Sequence, residues 1–298
     1  MQLPPQIIPI QHAGHAALRL ATRHGSAIVA LQGAHLLSWV PAGQRDVFWL
    51  SPQSPPAPAA IRGGVPVCWP WFAKQDRPES AAQHGPVRNL RWQVGAVHAS
   101  SDDEVSLTLA PCPDAAQAGD LATLASGLAV SLRITLGRTL AQRLTTRNLG
   151  DAPFALTQAL HSYFAVSDAA HVRIDGLEGL AYQDKLRSMA PGVQHTPFAL
   201  AEACDRIYHH PAAQSAQVPG HRYTLVDAAW QRQVVVETHG SQSVVVWNPG
   251  REGARRMADV PDQGWRDYFC IEAANAGPDV VALAPGAEHA LAQELSII

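Results

Sequence analysis

The chain has 298 residues, of which 47% are hydrophobic and 16% are charged, and its formal net charge is −3. This composition provides enough apolar material for a large core, and the charge gives no electrostatic basis for binding nucleic acid or an anionic membrane. No apolar run approaches the roughly 20 residues of a membrane span, and the N-terminus has neither a basic start nor a long apolar run, so we expect a cytoplasmic protein without a signal peptide.

Apolar and polar residues alternate with a period of two at many places, which is typical of strands with one buried face. The alternation is clearest at residues 105–109 and 128–136. Shorter runs are also predicted to be strands, and these are 27–31, 36–40, 47–50, 142–148, 154–159, 234–237, 244–247, 268–272 and 280–283. Turn residues such as those at 41–43 and 248–250 separate the runs.

Three segments depart from this strand pattern. Residues 51–60 contain four prolines and are predicted to be a surface loop. Residues 196–217 are polar and irregular and are predicted to be a second loop, whereas residues 114–124 are the best candidate for a short helix. Because no linker or break in composition divides the chain, we predict one all-β domain over residues 1–298, built as a large antiparallel β-sandwich.

The stretch 60–91 is unlike the rest of the chain. It places a glycine pair directly after Arg62, crowds prolines and aromatic residues together at 66–72, and adds His84 and Arg88 in a second polar segment. Proline removes backbone donors and glycine permits positive φ, so neither a regular strand nor a helix is favoured here. The combination predicts a site for which the rest of the chain is the scaffold.

Acid–base chemistry requires a proton donor and a proton acceptor held on rigid elements. His161 ends one apolar strand-like run and Glu272 ends another; histidine titrates near neutrality and can donate, while an ionised glutamate can accept. Asp205 begins a third segment with reactive groups. The candidate site residues are therefore Arg62, His84, Arg88, His161, Asp205 and Glu272.

Other kinds of site have little support in the sequence. There is no GxGxxG or GxxxxGK[ST] loop for a nucleotide, no HExxH motif for zinc and no GxSxG motif for a serine nucleophile. The four cysteines are far apart, and the adjacent His209 and His210 lack metal-ligand spacing. We therefore expect no disulfide framework, no metal and no organic cofactor.

Nine segments, in chain order, resemble those of the hexose-6-phosphate mutarotases (glucose-6-phosphate 1-epimerases) of the aldose-1-epimerase superfamily. They are GAHLLSWVP (33–41), FWLSP (48–52), IRGGVPVCWPWF (61–72), HGPVR (84–88), ALHSYF (159–164), DRIY (205–208), VWNP (246–249), MAD (257–259) and CIEAAN (270–275). The combination of IRGG, CWPWF, HG..R and CIE is specific, although each alone would be weak. The chain departs from the family pattern at Pro86 and Val87, where a bulky apolar residue and alanine are more frequent, and at Ala73, where glycine is usual.

The resemblance implies a galactose mutarotase-like antiparallel supersandwich that binds a sugar phosphate in a cleft on one sheet. It implies that Glu272 is the general base for the anomeric hydroxyl and that His161 is the general acid for the ring oxygen. His84 and Asp205 would contact the sugar. The 6-phosphate would be bound by Arg62 and Arg88, whose planar guanidinium groups suit that anion.

Two other functions remain open at this point. A non-catalytic carbohydrate-binding or sensing module on the same fold would use the aromatic residues and arginines but would not need His161 and Glu272. A glycoside hydrolase would need two carboxylates, for which Asp205 could be the partner of Glu272. We expect a monomer, and the sequence leaves the preferred hexose open.

Overall fold

Short strands joined by tight turns make up nearly all the regular structure of the computed structural model, which describes residues 3–74, 81–100, 102–112, 127–211 and 220–298. The first strands are β1 (Ile7–His12), β2 (His15–Thr22), β3 (Gly25–Ala30), β4 (Leu36–Pro41), β5 (Val67–Cys68), β6 (Trp92–Ser100), β7 (Glu104–Pro111), β8 (Leu128–Leu136), β9 (Leu140–Asn148), β10 (Phe154–Leu156), β11 (Gln158–Leu160) and β12 (Tyr163–Ala165).

The later strands are β13 (Arg173–Asp175), β14 (Ala181–Asp184), β15 (Ala190–Val193), β16 (Phe198–Ala199), β17 (Cys204–His209), β18 (His221–Asp227), β19 (Arg232–His239), β20 (Ser243–Asn248), β21 (Tyr268–Asn275), β22 (Val281–Leu283) and β23 (Glu288–Ile297). In the part of the chain that the structure describes, the α-helix is α1 (Gly250–Ala254), and single-turn 3₁₀ helices lie at Val87–Asn89, Lys185–Arg187 and Gly264–Arg266.

Two large antiparallel sheets dominate the described part of the chain. One has nine strands in the order β16-β13-β18-β19-β23-β9-β8-β7-β6. The other has eight, in the order β15-β14-β17-β20-β21-β11-β5, with β12 also paired to β21. A four-stranded sheet, β1-β2-β3-β4, and the pair β10-β22 complete the set. The predicted all-β, antiparallel sandwich is confirmed.

The main core lies between the two large sheets, where β11 and β21 contact β23. Strand β8 shows how the sequence produces it: Leu132, Ile134 and Leu136 are fully buried, whereas the residues between them are more exposed. Strand β21 is buried along its whole length. One of its faces packs into this core, and the other meets a smaller apolar cluster formed by Cys68, Phe72, Ala159, Ile207, Val245, Ala274 and Ala276.

Most predicted strands are confirmed, including those at 105–109, 128–136 and 268–272, and 51–60 is a loop as predicted. Residues 47–50 form only isolated bridges, in which Phe48 pairs with Phe164 and Leu50 with Gly63. Residues 154–159 are divided between β10 and β11. The predicted helix at 114–124 lies outside the described residues.

The prediction that 196–217 is a loop was wrong for its central part. It contains β16 and β17, and β17 is an interior strand between β14 and β20. The sequence pattern did not predict β17 because its residues are not continuously apolar, as those of an interior strand usually are. Asp205, Arg206 and His209 interrupt the apolar residues. In the fold these charges have partners, because Asp205 pairs with Lys185 and Arg206 with Asp184.

Candidate active site

His161 and Glu272 meet on one face of the eight-stranded sheet because of the register between β11 and β21. Directly opposed residues on antiparallel strands point to the same face. Leu160 pairs with Ala273, so the next residue of the chain, His161, comes opposite Glu272. The His161 Nε2 lies 3.4 Å from the Glu272 Oε1. The sequence therefore brings the predicted proton donor and acceptor into contact.

A second row of directly opposed residues lies beside the His161–Glu272 pair on the same face of the eight-stranded sheet. Tyr163 pairs with Cys270, Cys270 with Trp247, and Trp247 with Asp205. Cys270 and Glu272 are two residues apart in β21, so both rows share one face. Asp205 therefore lies two strands away from Glu272 on the same surface.

Burial favours the neutral forms of both His161 and Glu272. The pKa of His161 is lowered well below its ordinary value by burial and by the neighbouring His84 and Arg62. The pKa of Glu272 is raised well above its ordinary value by burial and by the negative charge of Asp205. The His161 Nδ1 and the Glu272 Oε2 are buried and have no hydrogen-bond partners among the described residues. The pair therefore keeps hydrogen-bonding capacity that a ligand could use.

The His161 ring is held by aromatic neighbours. It stacks on the Tyr163 ring at 4.8 Å between centroids and an interplanar angle of 11°. The Trp247 ring meets it edge-on at 5.8 Å. Such contacts restrict an imidazole to one orientation, which a positioned acid requires.

His84 projects from a bend in which it and Gly85 have positive φ angles of 65° and 73°. The backbone N–H of Ala73 donates to the His84 Nδ1 at 3.2 Å, so Nδ1 acts as an acceptor. Burial lowers the pKa of His84 well below its ordinary value, and Arg88 lowers it further. A neutral ring that accepts at Nδ1 carries its proton on Nε2. His84 is thereby a hydrogen-bond donor for the cavity.

The two motif arginines have different surroundings. The Arg62 Nε donates to Asp259 Oδ2 at 2.9 Å and its Nη1 donates to the Tyr163 hydroxyl at 2.8 Å. Burial lowers the pKa of Arg62, but Tyr163 and Asp259 outweigh this effect and raise it above its ordinary value. Two of the donors of Arg62 are thus already used within the protein.

Arg88, in contrast, is a cation with little compensation. Its Nε is buried without a hydrogen-bond partner, and the described residues supply no ion pair to its guanidinium. Burial lowers the pKa of Arg88 below its ordinary value; Cys68 and Tyr163 oppose this, and the positive charge of Arg62 lowers it further. An unpaired buried charge is costly, so this arrangement favours an incoming anion.

Asp205 is paired with Lys185, whose Nζ lies 3.0 Å from its Oδ2. The other carboxylate oxygen, Oδ1, is buried without a partner. Burial raises the pKa of Asp205 and Lys185 opposes that rise. Lys185 is not among the site residues predicted from the sequence.

The site residues described above, apart from Arg88, line one cavity. Its volume is about 300 Å³, which is at the lower end of the range for ligand pockets. Its lining residues are Arg62, Phe72, Gln83, His84, His161, Lys185, Asp205, Trp247, Met257 and Glu272. Volume alone does not single it out, since a cavity of about 410 Å³ lies beside Pro249. The concentration of acid, base and cationic groups distinguishes it.

Five of the six predicted site residues thus share the cavity, and Arg88 is close enough for its charge to act on His84 and His161. Trp69 and Trp71, prominent in the sequence, are 1% exposed and do not line it. Trp247 and Met257 line the cavity; Trp247 belongs to the VWNP segment and Met257 to the MAD segment. Gln83 and Lys185 carried no sequence signal.

Within the described residues, no group of three or more His, Cys, Asp or Glu side chains is arranged to hold a metal ion. The four cysteines are free thiols. None of the helices that the structure describes is both long and apolar enough to cross a membrane.

Comparisons with known proteins agree on the family to which a chain of this fold belongs. A family model described as aldose 1-epimerase matches residues 17–296. A Salmonella typhimurium protein named "Putative glucose-6-phosphate 1-epimerase" is 37% identical over 253 residues, covering 82% of this chain and 77% of its own. An Escherichia coli protein with the same name is 36% identical over 254 residues, covering 83% and 79%.

Solved structures show the same similarity in three dimensions. The crystal structure described as "a putative mutarotase (YeaD)" from Salmonella typhimurium superposes with a TM-score of 0.86 at 32% sequence identity. The match covers 99% of this chain and 95% of that one.

Proposed function

The chain belongs to the aldose 1-epimerase family and is a sugar epimerase of the mutarotase type, and on this premise we propose that its substrate is a hexose 6-phosphate. The observation that carries the proposal is the contact between His161 and Glu272 in a cavity that Arg62 also lines. Arg88 is near enough for its charge to act on His161, and its Nε has no hydrogen-bond partner among the described residues. A sugar phosphate dianion would supply an anion for Arg88 and could also accept from the N–H groups of Arg62 that Asp259 and Tyr163 do not use.

We assign the proton transfers to the contacting pair. The reacting form has Glu272 ionised and His161 protonated, which holds the same number of protons as the two neutral groups. Glu272 accepts the proton of the C1 hydroxyl, and the electron pair of that O–H bond forms the C1 carbonyl. The bond between C1 and the ring oxygen breaks, and His161 protonates the departing oxygen. Rotation about the C1–C2 bond and the reverse transfers then close the ring as the other anomer.

The distance between the two groups suits this chemistry. The ring oxygen and the C1 hydroxyl are both bonded to C1, so an acid and a base 3.4 Å apart can reach both atoms of one sugar. Glu272 is 1% exposed, but it lines the cavity, so a sugar in the cavity can reach its carboxyl group. Each positioned group is worth roughly 10²–10⁴-fold in rate.

The remaining cavity residues would hold the sugar. The His84 Nε2 proton is available to a sugar oxygen near the reacting carbon, and the Asp205 carboxylate can accept from sugar hydroxyls. The Trp247 ring lines the cavity and offers an apolar surface to the sugar ring. The group in contact with Glu272 is an imidazole, whereas the second carboxylate of the cavity, Asp205, lies two strands away and is paired with Lys185. This arrangement favours epimerisation over hydrolysis by two carboxylates.

The proposal is tested by NMR exchange spectroscopy on the anomers of glucose 6-phosphate and, in parallel, of glucose. We expect the protein to accelerate exchange of the phosphorylated sugar with a kcat/KM at least tenfold above that for glucose. An exchange rate equal to that in buffer would reject catalysis on this sugar phosphate. Equal kcat/KM values for the two sugars would reject the role of the phosphate.

A further inference from the structure

Lys185 supplies the one ammonium group among the residues that line the cavity. It follows β14 directly, in the 3₁₀ turn Lys185–Arg187. Its Nζ lies 3.0 Å from Asp205 Oδ2, and 29% of its side chain is exposed. Its position is therefore fixed by an ion pair inside the cavity, with N–H donors left over.

The charge on Asp205 matters because of where strand register places it. Asp205 and Glu272 lie on the same sheet face, separated by β20. Two carboxylates in one low-dielectric cavity oppose each other's ionisation. The titratable or charged groups around Glu272 and this ion pair are Arg62, Cys68, His84, His161, Tyr163, Asp184, Lys185, Asp205 and Cys270.

We propose that Lys185 is a positioning residue of the site: by holding Asp205 in an ion pair, it offsets a negative charge that would otherwise oppose ionisation of Glu272. The base therefore depends on a cation that it does not touch. This inference rests on the proposed function in one respect: ionisation of Glu272 affects the rate of anomer exchange only if Glu272 is the base. The electrostatic effects at Glu272 agree with this role, because Asp205 raises the pKa of Glu272 and Lys185 lowers it.

The neighbouring ion pair between Arg206 and Asp184 provides a comparison. Its Nε–Oδ2 distance is 3.1 Å, similar to that of the Lys185–Asp205 pair. Arg206 follows Asp205 in β17 and so points to the opposite face, away from the cavity. Removing the charge of Arg206 therefore shows the effect of losing an ion pair near the cavity. That effect can be compared with the effect of losing a charge inside the cavity.

The experiment measures kcat/KM for glucose 6-phosphate against pH, and in the unliganded protein it follows the carboxyl carbon of Glu272 by ¹³C NMR. The Glu272 signal is assigned from its loss in Glu272→Gln. The variants are Lys185→Met, which keeps an apolar stem of similar length, Asp205→Asn, the double variant, and Arg206→Met as the control. Circular dichroism confirms that each is folded.

In Lys185→Met we expect the midpoint of the Glu272 titration, and the acidic limb of the rate profile, to move up by about one pH unit, because a positive charge has been removed. Asp205→Asn should move the midpoint down. The double variant should lie within about 0.3 pH unit of the wild type, because both charges are gone. Arg206→Met should move neither.

An unchanged Glu272 midpoint in Lys185→Met would overturn the inference, as would a double variant that shifts as far as Lys185→Met alone. Neither result depends on turnover, because the NMR titration uses the protein without substrate. If the wild type fails to accelerate anomer exchange while the midpoints move as expected, the proposed substrate is wrong and the role of Lys185 in the cavity stands.

Discussion

At the scale of single residues, the site is defined by side chains whose polar atoms lack partners. The Arg88 Nε, the His161 Nδ1, the Asp205 Oδ1 and the Glu272 Oε2 are all buried without a hydrogen bond. Buried polar atoms are normally paired, and each exception carries a cost in stability. Other buried atoms without a partner among the described residues, such as the Trp39 Nε1 and the Thr238 Oγ1, lie elsewhere. At the cavity, however, His161, Asp205 and Glu272 lie together with cationic groups, so a bound ligand could supply the missing partners.

The difference between the two arginines leads to a prediction about phosphate binding. In Arg88→Met we expect KM for glucose 6-phosphate to rise more than tenfold, with little change in KM for glucose, because the lost group is an uncommitted cation. The measurement is anomer exchange by NMR over a range of concentrations of each sugar. Equal changes for the two sugars would contradict a role in phosphate binding.

The same variant makes an opposite prediction for stability. Removing an unpaired buried cation removes its desolvation cost, so Arg88→Met should unfold at the same or a higher temperature than the wild type. Arg62→Met should unfold at a lower one, because Asp259 and Tyr163 lose a partner. Calorimetry without added phosphate distinguishes the two. If the wild type unfolded at a higher temperature than Arg88→Met, Arg88 would have a stabilising partner in the folded protein.

At the scale of elements, the bend at His84 and Gly85 depends on a close backbone approach. Gly85 has a φ of 73°, and a Cβ at this position would collide with the carbonyl group of Trp69. Gly286 has the same φ of 73° but no atom within 4 Å of such a Cβ. The two glycines therefore separate the conformational strain of alanine from the collision.

We expect Gly286→Ala to lower the free energy of unfolding by about 1 kcal/mol, the cost of alanine in the left-handed region. Gly85→Ala should cost at least about 3 kcal/mol because backbone atoms must also move. Urea unfolding followed by fluorescence measures both. Similar losses for the two variants would mean that the bend can relax, and that it does not fix the position of His84.

Sequence patterns predicted elements best where burial is one-sided. Strand β8 follows a strict alternation and was predicted, whereas β17 was not, because Asp205 and Arg206 interrupt its apolar pattern. Their partners, Lys185 and Asp184, are distant in the sequence and are not visible from the segment itself. The contact of His161 with Glu272 follows from strand register, which the separate segments do not specify. Lys185 carried no signal, because an isolated lysine after a short strand shows neither its partner nor the cavity.

At the scale of the whole molecule, buried neutral histidines couple folding to pH. His35 is the clearest case: burial lowers its pKa from 6.5 to about 3, and its Nε2 donates to the carbonyl of Gly63 at 2.7 Å. Between these two values the unfolded chain binds a proton at His35 that the folded protein does not. Stability is therefore lost as the pH falls from about 6.5 towards 3.

We expect His35→Gln to reduce this pH dependence, because glutamine can donate to Gly63 but does not titrate. The slope of the free energy of unfolding against pH, measured by urea unfolding between pH 4 and 6, should fall by up to about 1.4 kcal/mol per pH unit. His98→Gln, at an exposed position, is the control and should keep the wild-type slope. An unchanged slope in His35→Gln would contradict this account.

The most direct test of the catalytic pair is the rate of anomer exchange of glucose 6-phosphate in Glu272→Gln, measured by NMR exchange spectroscopy at saturating sugar. Glu294→Gln, at an exposed position on β23, is the matched control and should exchange like the wild type. We predict that Glu272→Gln stays folded, binds the sugar phosphate and exchanges its anomers at least roughly 100-fold more slowly. A folded Glu272→Gln protein that exchanges the anomers at the wild-type rate would contradict the assignment of Glu272 as the base.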